Sequence, residues 1–272
     1  MNQGTRVRWK TFCIISAQTN DGSFLSFVDD SYPGGAQVGS NQMMTHGKVA
    51  GRLIWSLTLV LCLIGLLAAM RRAYVLLDPP KGPPRFAAAA AMDAGFAQHK
   101  SLTLAHIVPA SLFMVLMPLQ FARRLRERHI QWHRWSGRLL ILLGAVVGTS
   151  ALILSYTTAI GGANEIAATT VFALLFLIFL SRGFWKIRHR RVAEHREWMI
   201  RAFGVALGIA TTRPIVGAFF AAGRLSPHEF FGIAFWLGFS LTLLGAEAWV
   251  QGSRSKPRDP VGQFPKLQPT PR

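Results

Sequence analysis

Two His-Arg pairs, His133-Arg134 and His195-Arg196, stand 62 positions apart, and each is followed by a further arginine, Arg138 and Arg201. Two imidazoles could close on a b-type heme from opposite faces. That needs their ring nitrogens about 4 Å apart, twice a metal–nitrogen bond length, with arginines free to meet the propionates. The same residues would equally suit an anionic lipid headgroup at a membrane surface, and the plainest reading makes them solvated interfacial anchors. His106 and His228 are separate from these. His106 falls about one turn inside an apolar run, where an ionisable residue is a functional candidate by default. A hydrogen bond to a neighbouring carbonyl is its structural alternative, and His228 is the histidine that could approach it from another helix. The candidate cofactor-binding set is therefore His133, His195, His106, His228, Arg138 and Arg201. Arg213 and Glu247 also lie within apolar runs. Depth pairs Glu247 with Arg201 or Arg138, and Arg213 with Glu165 or Glu229, since a charge in hydrocarbon needs a partner. There is no GxSxG, HExxH or Walker loop, so hydrolysis and nucleotide-driven chemistry are not indicated.

The elements that must position these residues are membrane helices. Crossing about 30 Å of hydrocarbon takes about 20 helical residues, and six apolar runs of that length lie near 50–70, 102–121, 138–157, 166–184, 199–221 and 230–250. The first and third are apolar on every side, as helices in lipid or a protein core are. The fold class is all-α, a polytopic membrane protein with its helical domain over 43–251. Residues 1–42 read as a disordered or spurious extension and 252–272 as a disordered basic tail, the latter rich in proline. The stretch AAAAAMDAGFA, after the proline-rich DPPKGPPR, can form a short surface helix.

Composition agrees: the 272 residues are 51% hydrophobic and 15% charged, with a net charge of +18 from 30 Lys+Arg against 12 Asp+Glu. Such a charge on a soluble chain would suggest nucleic acid, but its location argues against that partner. Residues 1–42 carry Arg6, Arg8 and Lys10 against Asp21, Asp29 and Asp30, so the excess lies beyond them. Six arginines against Glu127 fill 123–138, and 182–201 holds seven basic residues against Glu194 and Glu197. The tail is basic again. These segments follow the second, fourth and sixth runs, whereas IGGANE after the third has no Lys or Arg. This is the positive-inside pattern, which places both termini in the cytoplasm and makes the bilayer, with its anionic lipids, the expected partner. Cys13 and Cys62 are too few and too far apart for a disulfide framework.

Shifting the chain by 62 positions lays the second and third runs on the fourth and fifth, with Arg128 on Arg190 and His133-Arg134 on His195-Arg196. A GxxxG spacing follows in each, Gly144/Gly148 and Gly204/Gly208, which permits close helix approach. The expectation is a tandem repeat of helical hairpins in parallel orientation. His106, MPLQF (117–121), HRWSGR (133–138) and HREWMIR (195–201), in that order, resemble the bacterial predicted membrane proteins grouped as domain of unknown function 2306. The resemblance covers roughly 100–250 and implies a multi-pass helical protein of the inner membrane, with no established activity. Three function classes follow: a heme-b redox protein using the paired histidines, a transporter or lipid-binding protein, and a structural or regulatory membrane protein.

Overall fold

The computed structural model describes residues 40–79 and 87–254. The expectations for the two chain ends therefore lie outside the described residues, except that 40–42 and 252–254 are helical. The chain divides into two units, Met1–Ile54 and Trp55–Arg272. In the first, the described part is one helical stretch. All packing below belongs to the second.

Every element among the described residues is a helix: α1 (Ser40–Leu77), α2 (Ala87–Gln98), α3 (Lys100–Phe121), α4 (Arg123–Arg128), α5 (Ile130–Thr158), α6 (Gly162–Arg188), α7 (Val192–Ala222) and α8 (Pro227–Arg254). Six of them, α1, α3, α5, α6, α7 and α8, are long and apolar enough to cross a membrane. Each contains one of the runs read from the sequence, and the alanine-rich stretch forms α2. The apolar side chains left on the outside are what a lipid solvent requires. Val108, Leu112, Val115 and Leu119 line the outer face of α3, while Phe113, Met114 and Met117 are buried on the other.

The close helix pairs are α3 with α5, α5 with α6, α6 with both α7 and α8, and α7 with α8. Small residues make these approaches possible. A Cβ on Gly144 would lie 2.7 Å from Leu180 and one on Gly148 2.5 Å from Leu177, both on α6. A Cβ on Gly204 would lie 2.5 Å from Ala246, and one on Gly208 would strike Phe239, both on α8. Each GxxxG thus packs on the helix that follows it, as a tandem repeat demands. Around these seams Phe113, Leu140, Phe172, Phe176, Leu180 and Phe203 form one core, and a smaller cluster of Val216, Phe230, Phe231 and Ala234 lies at the other end of α7 and α8. From Trp55 onward α1 is peripheral, with Leu57, Leu59, Val60, Leu63 and Leu67 exposed. It touches the others through small residues: a Cβ on Gly65 would sit 3.6 Å from Ala210 and 3.7 Å from Met114.

The connections fix which residues share an end. Short turns join α3, α4 and α5, and α6 to α7, so the arginine-rich segments gather at one end, called the basic end below. At the opposite end Gly162, with φ +58°, opens α6, and the Glu165 carboxylate accepts the N–H groups of Ile160 (2.8 Å) and Gly161 (2.7 Å). Gly223, with φ +60°, closes α7 in the left-handed conformation that glycine adopts without strain. Glu229 then caps α8 by accepting from the Ser226 N–H (2.7 Å) and hydroxyl (2.8 Å).

Candidate functional site

His133 and His195 each occupy the fourth position of their helix, α5 from Ile130 and α7 from Val192. The repeat seen in the sequence therefore holds at the level of helix starts. His195 reaches α6, its Nδ1 lying 2.8 Å from the Gly183 carbonyl. That bond makes Nδ1 the donor and leaves Nε2 as the free acceptor. α6 and α7 lie close together at Gly183, where a Cβ would lie 2.8 Å from the Met199 sulfur. His133 is different. Its Nδ1 is shielded from solvent and has no hydrogen-bond partner, and the fixed charges acting on the ring are those of Arg126 and Arg134. The charge of Arg126, on α4, also acts on Arg196. The result is a half-buried imidazole with an unmet polar atom inside a cationic surround. Leaving such an atom unpaired costs about 1–3 kcal/mol.

A buried pair beside it was not visible as a unit in the sequence. The Gln120 amide donates to the Ser136 hydroxyl at 2.6 Å, and Ser136 donates to the Trp132 carbonyl at 2.5 Å. This joins the end of α3 to the first turns of α5, and so joins MPLQF to HRWSGR. The one signal was an amide closing an apolar run. Gln120 also takes the open side of Gly137, its Oε1 lying 3.7 Å from where a Cβ would be. Phe121 stacks on Phe203 of α7 with ring centroids 6.0 Å apart, which draws the third motif's helix to the same place.

The other predicted residues are distributed elsewhere. Arg201 forms a two-pronged pair with Glu247 of α8, Nε to Oε2 at 2.6 Å and Nη2 to Oε1 at 3.1 Å, as their common depth predicts. Glu197 lies 3.8 Å from Arg201 and also pairs with Arg254, so the start of α7 and the end of α8 are clamped together. Arg201 is thus committed to a carboxylate, and both it and Arg182 lie over the Trp198 ring, at 4.9 and 5.3 Å. Arg138 is exposed and lies over Trp135 at 5.0 Å, a snorkelling geometry at the rim. His106 bonds across to α5, Nδ1 to the Ser150 hydroxyl at 2.9 Å. The expected approach of His228 to it does not occur: the His228 ring packs over Gly162, 2.8 Å from where a Cβ would be. Glu229 is spent on its own helix start, so of the two carboxylates expected for Arg213 it is Glu165 whose charge reaches it. Among the described residues no group of three or more His, Cys, Asp or Glu could hold a metal ion.

Residues 103–250 match the family of predicted membrane proteins DUF2306. No curated protein and no solved structure matches the chain.

Proposed function

The chain belongs to the DUF2306 family of predicted membrane proteins, and from that premise we propose that it is a lipid-binding membrane protein whose basic end holds an anionic headgroup at His133. The carrying observation is the shielded, unpartnered Nδ1 of His133 amid Arg126, Arg134 and His195. With its proton on Nδ1 the ring would donate into this surround, and a phosphate at headgroup depth is the acceptor that a bilayer supplies. Arg126 and Arg134 add charge, and Arg138 at the rim adds a snorkelling contact. On the positive-inside pattern this end faces the cytoplasm.

Native mass spectrometry of the full chain, with phosphatidylglycerol as the probe, tests this. The expected result is retained lipid on the wild type, a several-fold loss in His133→Ala and Arg126→Gln, and no change in Arg224→Gln at the opposite end. Equal retention in all four overturns the reading. A second reading, a b-type heme between His133 and His195, draws support from the His195–Gly183 bond, which sets Nε2 free as a ligating histidine needs. Gln120 in the space beside Gly137 weighs against a planar macrocycle there. A dithionite-reduced minus oxidised spectrum without a heme α-band removes that reading.

A further inference from the structure

Between α5 and α6 the surface is hollowed into a groove of about 720 Å³. Its inner part is apolar, with Ile141 and Ala145 of α5 on one side and Leu177 and Leu180 of α6 on the other. The hollow follows from the glycine seam. Leu180 and Leu177 sit so close to the α5 backbone that a Cβ would lie 2.7 Å from Leu180 at Gly144 and 2.5 Å from Leu177 at Gly148. Ala145, between those glycines, is small as well, so this stretch of α5 leaves space outside the seam.

Along α6 the lining changes character. From Leu177 the groove passes Ser181 and Trp185 to Arg188, the last residue of the helix, and Arg182 also borders it. The helical rise from Leu177 to Arg188 is about 16 Å. That is about half of a 30 Å hydrocarbon core, hence the depth of one leaflet. Trp185 is 49% exposed beside the mouth, where aromatic side chains mark the membrane interface. The groove therefore has an apolar interior toward the bilayer centre and a cationic mouth at the basic end.

The carboxylates of this end are already engaged. Glu127 pairs with Arg123, Glu194 with Lys186 and Arg191, Glu197 with Arg254, and Glu247 with Arg201. Among the described residues none of these carboxylates forms an ion pair with Arg182 or Arg188. Arg182 lies 5.3 Å over the Trp198 ring, a contact that supplies no counter-charge. Both arginines are exposed, so an anion can reach them from outside the protein. An apolar chain one leaflet long that ends in an anion is an anionic phospholipid.

We propose that this groove binds one anionic phospholipid, with an acyl chain along Ile141, Ala145 and Leu177 and the phosphate at Arg182 and Arg188. Arginine suits the mouth because its stem covers apolar surface while its head stays at the interface, and its planar fork grips phosphate through two parallel hydrogen bonds. The site is separate from the one at His133, since neither His133 nor His195 lines the groove.

The full chain in phosphatidylcholine nanodiscs tests this with a photoreactive lipid. Phosphatidylglycerol or phosphatidylcholine carrying a diazirine on one acyl chain is added in trace amount and irradiated, and the adducts are located by peptide mass spectrometry. Phosphatidylglycerol is expected to mark 141–145 and 177–181 several-fold more than phosphatidylcholine does, while both mark Leu241, exposed on α8, alike. Equal labelling of the groove by the two lipids shows ordinary bilayer contact and overturns the proposal, as does a groove without adducts. Arg182→Gln and Arg188→Gln should each lower the phosphatidylglycerol adducts about fivefold, and Arg188→Lys should retain most of them; unchanged adducts in both Gln variants overturn the assignment. Ala145→Phe fills the groove with both arginines in place and should remove the adducts at 177–181, whereas their persistence would exclude an acyl chain there. In His133→Ala the groove adducts should be unchanged, whatever becomes of the lipid at the histidine. Their loss would give the lipid to that site and overturn a separate one.

Discussion

The ionisable side chains at the basic end divide into those with fixed carboxylate partners and those without. Arg201 belongs to the first group, held by Glu247 through two bonds with its side chain 11% exposed. The Glu247 side chain is 37% exposed and Arg201 keeps Glu197 at 3.8 Å, so losing this two-pronged pair costs about 1 kcal/mol. Arg123 and Glu127 also pair, at 2.7 Å, but along one exposed helix face, where such a bond contributes about 0.3–0.5 kcal/mol. Glu247→Ala should therefore lower the apparent melting temperature in detergent by several degrees, and Glu127→Ala by little or nothing. Equal shifts would show that the α7–α8 clamp contributes no more than a surface pair. The Arg201–Glu247 contact was legible beforehand because both residues have defined depths in apolar runs. The Gln120–Ser136 bond was not, because it depends on the azimuth at which α3 meets α5, and linear spacing carries no azimuth between helices.

Helix contacts here depend on what is absent from certain positions. Gly204 and Gly208 allow α8 to lie against α7, with Ala246 and Phe239 filling the space where side chains would stand. Gly245, on the neighbouring helix, has nothing within 4 Å of a Cβ. Gly204→Val forces the seam apart, and overpacking of this kind costs about 1–3 kcal/mol, whereas Gly245→Val should be close to neutral. Thermal unfolding of the two variants in one detergent separates them, and comparable loss in both would contradict the seam. The 62-residue repeat acquires physical content at this level. In both copies a histidine sits at the fourth helical position, and the GxxxG further along faces the next helix in the chain. Which helix each GxxxG would meet could not be read from the sequence, since the spacing marks a close approach without naming the partner.

Taken together, the six long helices and their charge distribution carry a prediction of orientation. The segments around α4, between α6 and α7 and after α8 are basic, whereas the α5–α6 turn has no Lys or Arg. The positive-inside rule then directs the basic end to the cytoplasm. In a Cys13→Ser/Cys62→Ser background, a membrane-impermeant maleimide should label Ser226→Cys in intact cells and Ala193→Cys only after permeabilisation. The reverse pattern would invert the chain, and with it the leaflet assigned to the His133 site.

Composition and run length were enough to establish six helical spans, each run lying inside a longer helix: α5 begins at Ile130 and α7 at Val192, where the apolar runs begin near 138 and 199. These properties follow from length against bilayer thickness and from the requirement that backbone groups in lipid be satisfied within each segment. Sites are another matter, because they depend on which faces turn toward each other. His133 and His195 looked equivalent in the chain, yet one is bonded to Gly183 while the other is left with a shielded nitrogen unmet. His106 and His228 looked like partners, but one found Ser150 and the other Gly162. Helix rotation and the close approaches at the glycines made those choices, and both arise from side-chain packing between segments far apart in the sequence.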